Sequence, residues 1–258
     1  MKKTVIILNL IFFLLPSALQ AQIENDSEIL EFNLNDLYSV RLRQIFENEY
    51  TDRKKETEHL SHKPYKVITD IAEAKKKLKK RLKGFDLQDY LEYSYYQKLE
   101  ISYKGGIKKL FNVAWFGWDN KYHNFIAYYP EAGVLILNHE ADGDFPIDLN
   151  DSNNEHTGNP KYYSYSPDKQ FRINGNFDGG ATDGIRYWLE KWNSSNRKYE
   201  FVGFFRESID FAYPIYGFCF TGNWFWTSNS KVIFTNYAGK ENEYFENTEF
   251  YEMELIEK

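Results

Sequence analysis

Along most of the chain the apolar positions recur every second residue. From residue 96 onward they fall in short runs: Lys98–Tyr103, Leu110–Phe116, Asn124–Tyr129, Gly133–Asn138, Phe145–Leu149 and Tyr162–Tyr165. The pattern continues through Phe171–Asn174, Ile185–Lys191, Tyr199–Phe205, Trp224–Trp226, Lys231–Asn236 and Glu249–Ile256. Alternation over four to eight residues is the signature of a half-buried strand. Turn-forming clusters separate the runs, among them Lys104-Gly-Gly106, Pro130-Glu-Ala-Gly133, Ser166-Pro-Asp-Lys169, Asn193-Ser-Ser-Asn196 and Ser228-Asn-Ser-Lys231. Many short strands with no helical pattern between them predict an antiparallel β domain over 96–258, built as propeller-like blades or as a sandwich.

Residues 22–95 read differently. Asn35-Asp36 offers a helix cap, and Leu37, Val40, Leu42, Ile45 and Phe46 follow at roughly helical spacing. A second helix is expected over 65–83, stopped by Gly84, with Val67, Ile68, Ile71, Ala72, Leu78 and Leu82 on its apolar side. The region is therefore expected to be helical.

The first 21 residues have another role. A basic start (Lys2, Lys3), an apolar run from Thr4 to Pro16 and a small residue at Ala21 are the parts of a secretory signal peptide. The run is shorter than the ~20 apolar residues that span a bilayer. No later segment is apolar enough to cross a membrane. Cleavage after Ala21 leaves a chain of net charge −8, because Lys2 and Lys3 leave a precursor of −6. The expected location is periplasmic or extracellular.

Export and cysteine content together narrow the energetics. Cys219 is the single cysteine, so no intrachain disulfide forms and burial must supply the stability. Its apolar setting, Tyr216-Gly-Phe-Cys-Phe220, suits an inert buried thiol rather than a nucleophile. Aromatic residues make up 19% of the chain, which favours strands and also suits a carbohydrate-binding face.

Charge is unevenly spread. Residues 63–83 hold nine basic and two acidic side chains, leaving about −15 on the rest of the mature chain. The cluster Lys75, Lys76, Lys77, Lys79, Lys80 and Arg81 reads first as a solvated helix face. Its functional reading is a docking patch for an anionic partner such as a headgroup, a polysaccharide or an acidic protein. Nucleic acid is disfavoured, since no aromatic residues interleave the lysines.

Three segments share one plan. Ile126–Leu137, Tyr163–Asn174 and Phe225–Asn236 each read strand, turn, strand. Each is followed by a loop and a third strand, at 145–149, 185–189 and 250–255. Recurrence every few tens of residues is what propeller blades display. The Ser166-Pro-Asp-Lys169 turn resembles the "SPDG" turn of WD40-like, TolB-type β-propeller repeats, with Lys169 in place of glycine. The resemblance covers roughly residues 122–258 in two or three units and implies a binding scaffold rather than a particular chemistry.

Candidate chemistry follows from that frame. The loops holding Asp142 and Asp144, and Asp178 and Asp183, occupy the same slot between second and third strands. Together they form a candidate acidic rim. Neither supplies the alternating oxygen ligands of a calcium loop. Gly179-Gly180 lacks the Gly-Lys-Ser/Thr of a phosphate loop. His59 and His62 are three apart, but no third metal ligand lies near them in sequence. No Gly-x-Ser-x-Gly elbow is present. A glycosidase pair would have to come from carboxylates such as Glu131, Glu140, Asp142, Asp148, Glu190 or Asp210. No catalytic residue, cofactor or metal is assigned. The expectation is an exported, non-catalytic binding, protective or inhibitory module with a protein partner in the cell envelope; the alternative is a secreted carbohydrate-active or other hydrolase. The exported protein is predicted to begin at Gln22, and N-terminal sequencing of material recovered outside the cytoplasm checks this.

Overall fold

The structure is a computed structural model. It describes residues 29–60, 63–83, 96–103, 106–114, 125–138, 143–153, 155–177, 185–205, 219–220, 224–238 and 247–258. The expected signal peptide lies outside these residues. The fold is mainly β, with four antiparallel sheets and short helices. No helix among the described residues is long and apolar enough to cross a membrane.

The first sheet has the order β3-β4-β5, from Leu82–Lys83, Tyr96–Ser102 and Lys108–Ala114. The second is a meander of β6 (Phe125–Tyr129), β7 (Val134–Asn138) and β8 (Asp144–Asp148). The third orders β9 (Ser164–Tyr165), β10 (Phe171–Phe177), β11 (Ile185–Asn193) and β12 (Lys198–Phe204) as β9-β10-β11-β12. The fourth joins the two ends of the chain. Here β1 (Ile29–Asn33) and β2 (Tyr38–Ile45) pair onward to β16 (Asn247–Glu257) and β15 (Lys231–Ala238). The short strands β13 (Cys219–Phe220) and β14 (Phe225–Trp226) both pair with β15.

The helix expected from Asn35 to Phe46 is a strand hairpin instead. The reason is visible in the side chains. Val40 and Leu42 are fully buried, while Arg41 and Arg43 between them face the other way. Those arginines pair across the sheet with Glu254 and Glu252. Leu37 and Phe46, two members of the supposed helical stripe, are each 63% exposed. A period of two across Val40-Arg-Leu-Arg43 therefore overrides the looser helical spacing. Asn35 still caps, but it caps the β1–β2 turn, accepting from the backbone N–H groups of Leu37 and Tyr38.

Among the described residues two α-helices form. Helix α1 (Glu47–Thr57) is polar along its length and touches the fold mainly through Tyr50, whose ring packs on Phe225 and Phe250. Helix α2 (Ile71–Leu78) is the middle of the expected second helix. The Asp70 carboxylate accepts from the Glu73 N–H at its start, and it buries Ala74 and Leu78. Upstream of it the chain is extended, and Ile68 bridges to Tyr128 of the second sheet.

Burial follows the strand alternation. One core, including Ile173, Tyr187, Leu189, Val232 and Phe234, fills the space between the third and fourth sheets. A second, including Ile101, Leu135, Leu137 and Ile147, joins the first and second sheets under α2. Removing a buried aliphatic side chain from such a core costs about 2–5 kcal/mol, a large part of a marginal total.

The Ser166–Lys169 turn has its own physical account. The Lys169 N–H donates to the Ser166 carbonyl at 2.8 Å, and Lys169 sits at φ +58°. That is the last position of a type I turn, where glycine is favoured. The Ser166 hydroxyl donates to Asp168, and the Phe171 N–H donates back to Ser166 Oγ at 2.9 Å. The turn is thus held by side chains while a lysine takes a glycine conformation. Lys169→Gly relieves a left-handed strain of roughly 1–2 kcal/mol at some unfolded-state entropy cost. The expected net gain is about 0.5–1 kcal/mol, measured as a rise in the urea midpoint at unchanged m-value.

Candidate functional site

Strands β9 to β12 present two different faces. On β10 and β11, Ile173, Tyr187 and Leu189 point into the core shared with the fourth sheet. Residues of opposite parity, Arg172, Asn174, Trp188 and Glu190, form a polar network on the other face. Register creates it: Arg172 lies directly across from Tyr165 on one side and Glu190 on the other. A bulge between Leu189 and Glu190 shifts the next pairing, so Glu190 faces Phe201 of β12.

Arg172 Nε donates to Glu190 Oε2 at 2.5 Å, and Nη2 lies 2.5 Å from the same oxygen in the ion pair. The same carboxylate accepts from Asn174 Nδ2 at 2.8 Å and from Trp188 Nε1 at 2.9 Å. Two tyrosines sandwich the guanidinium, with ring centroids 4.2 Å (Tyr163) and 4.4 Å (Tyr199) from its carbon. A third, Tyr165, accepts a 3.5 Å hydrogen bond from Nη1, and its hydroxyl lies 2.6 Å from that of Tyr65. The side chains are 16% exposed for Arg172 and 3% for Glu190. Burial opposes the positive charge, but Tyr163, Glu190 and Tyr165 outweigh it and hold Arg172 protonated, its pKa raised. Burial first, and Tyr165 second, push the Tyr199 hydroxyl up to about 12, against the pull of Arg172.

Above this floor lies a cleft of 320 Å³ bounded by the loop after β8 and by β12. Asp148 and Asp151 come from the β8 side. Burial raises the pKa of Asp148, partly offset by the N–H groups of Asn150 and Asp151, which donate to its carboxylate. Asp151 also meets a burial penalty, but Lys198 at 2.8 Å and the Asn153 N–H overcome it and lower its pKa. Glu200 accepts from the amides of Asn193 and Asn196. His156 stacks on Phe201 with ring centroids 4.0 Å apart.

The residues singled out in the sequence are scattered. Asp144 is half-buried, and its carboxylate accepts from Asn159 Nδ2 at 2.9 Å and from the Phe177 N–H at 3.3 Å, tying the second sheet to the third. Burial raises its pKa despite those bonds. Asp142, Asp178 and Asp183 lie outside the described residues. Of the basic cluster, Lys76, Lys77, Lys79 and Lys80 are exposed, with Lys75 and Arg81 half-buried. Lys77 reaches Glu73 at 3.9 Å. The cluster lies on α2 and the turn after it. Among the candidate carboxylates, Asp148 and Glu190 share the cleft, and Glu131 sits exposed on the β6–β7 turn. Glu140 and Asp210 lie outside the described residues, as does His62. Among the described residues no group of three or more His, Cys, Asp and Glu side chains is arranged to hold a metal.

Arg172 and its tyrosines were not anticipated from the sequence. The available signal was an arginine and a glutamate on the face of adjacent strands opposite the apolar positions, flanked by tyrosines. It needs the strand register to be read. Comparison of the chain with known protein families, curated proteins and solved structures finds no match.

Removing one member of a buried ion pair leaves the other charge uncompensated, at a cost of about 3–5 kcal/mol. Glu190→Ala is expected to lose that much in urea unfolding. The double variant with Arg172→Ala should lose less than the sum of the two single losses, which a double-mutant cycle measures directly.

Proposed function

We propose that this chain is an exported, non-catalytic binding module for a protein partner, and that the cleft over Arg172 is its contact surface. One observation carries the reading: four of the five cleft carboxylates are already engaged within the protein. Glu190 takes Arg172, Asn174 and Trp188; Asp148 takes two backbone N–H groups; Asp151 holds Lys198; Glu200 holds two amides. A general acid or base must exchange protons with substrate and water, whereas these groups are spent on fixing the cleft's shape. Preorganisation of this kind favours binding by cutting the entropy lost on association.

The lining counts five carboxylates against Arg172 and Lys198, and Glu155 and Glu200 stand exposed at the mouth. The cleft suits a basic side chain of the partner, with Phe201 and His156 as an apolar shelf. The export reading comes from the N-terminal pattern of Lys2, Lys3 and Ala21. The three strand–turn–strand–loop–strand units coincide with meanders in the second, third and fourth sheets. The turns of neighbouring units touch where the Asp168 N–H donates to Asn229 Oδ1 at 3.1 Å. These features support the reading of the sheets as propeller-like blades, a scaffold that presents its loops for binding.

A second reading, a hydrolase, draws on Asp148 and Glu190 sharing an aromatic-lined cleft. One experiment separates the two. The mature protein is used to capture partners from envelope extract, beside a Glu155→Lys/Glu200→Lys variant. A protein retained by the wild type, released by salt and lost by the variant is the expected result. Equal capture by both proteins overturns it. Release of reducing sugar from envelope polysaccharide by the wild type, abolished in Asp148→Asn, establishes the hydrolase instead.

A further inference from the structure

A second cavity, of 510 Å³, lies between α1 and the third and fourth sheets. Its volume is within the ~300–1,000 Å³ typical of small-molecule sites. Trp224, Phe225 and Trp226 form one wall, and Tyr162, Tyr165 and Leu60 contribute to the rest. The aromatic wall is well anchored. Trp224 stacks on Phe205 and Phe234, and Phe225 packs edge-on against Tyr50, the residue that holds α1. Trp226 is 4% exposed, and its indole N–H has no hydrogen-bond acceptor among the described residues.

The mouth carries the opposite chemistry. Lys54, Lys55 and Lys161 line it, all exposed, with Glu58 the single acidic group among the described lining residues. None of the three lysines makes an ion pair among the described residues. Lys54 and Lys161 instead lie over the rings of Tyr50 and Tyr162, at 5.6 and 5.5 Å. On a chain of net charge −6, three lysines around an aromatic pocket, of which Lys161 also favours the ionised form of Asp144, form a local positive field on a net-negative molecule.

We infer that this cavity is a binding site for a small amphipathic anion: an apolar body lodged against Trp224, Phe225 and Trp226, and a single carboxylate-type head held by Lys54, Lys55 and Lys161. The apolar wall selects the body by burial, and the lysines select the sign of the head. An uncharged analogue retains the first contribution and loses the second. A cationic analogue meets repulsion at the mouth. The site is separate from the proposed partner cleft; among the described residues the two share Tyr163 alone.

Dodecanoate, below its micelle concentration, is the probe, with dodecanol and dodecyltrimethylammonium as controls. Titration calorimetry on the mature chain should give saturable one-to-one binding of dodecanoate, at least tenfold tighter than of the cation, with dodecanol between them. The Lys54→Gln/Lys55→Gln/Lys161→Gln variant should weaken dodecanoate at least tenfold and bring the three ligands close together. Thr51, exposed on α1 and lining the cavity, offers a blocking position. Thr51→Trp should abolish binding while leaving Tm unchanged. Equal affinity for dodecanoate and the cation, or undiminished binding in Thr51→Trp, overturns the inference.

Discussion

A guanidinium removed from water at the centre of a sheet imposes conditions on everything around it. Arg172 has lost most of its hydration, so its charge must be met by Glu190 and its flat faces by aromatic rings. Glu190 in turn must have its remaining lone pairs filled, which Asn174 and Trp188 do. Those demands fix the register of β10 against β11, the side-chain directions of Tyr163 and Tyr199, and through Tyr165 the position of Tyr65 on the segment before α2. A slip of one residue would turn Ile173 and Leu189 toward the cleft and put the ion pair in the apolar core. The charge network and the hydrophobic core therefore specify the same alignment from opposite faces.

This division of labour explains why the cleft reads as a preformed surface. Loops carry function when a rigid scaffold positions them, and here the scaffold's own polar face is part of the surface. Inter-sheet ties are polar as well: Asp144 to Asn159, Asp151 to Lys198, Asp168 to Asn229. Asp144, one of the candidate rim residues, opens β8 and is one of these ties.

Much of the β architecture was legible because its signal is local. Alternation and turn chemistry placed strands near Phe125–Tyr129, Val134–Asn138, Phe171–Phe177, Ile185–Asn193 and Lys231–Ala238, where the sheets have them. The helical reading of 35–46 failed because Leu37, Val40, Leu42 and Ile45 satisfy a loose helical spacing while Arg41 and Arg43 decide for a strand only once Glu252 and Glu254 are opposite. Those partners lie some two hundred residues away and leave no local trace. Helix α1 was missed for the converse reason: it has one buried residue, Tyr50, and no apolar stripe to detect. The candidate cleft was barely legible. Asp148 and Glu190 stood among several carboxylates of equal standing, and only cross-strand register distinguishes them.

The pairing of β2 with β16 has a temporal side. Ile45 lies opposite Phe250, so the β2 edge that faces β16 waits until some two hundred further residues have been made. At roughly 5–20 residues per second that delay is about 10–40 s. Through that interval β2 has only β1 to pair with, and the core between the third and fourth sheets lacks the side chains of β15 and β16. Contacts so distant in sequence also form slowly once available. Topology alone thus delays closure of this sheet until β16 has been made.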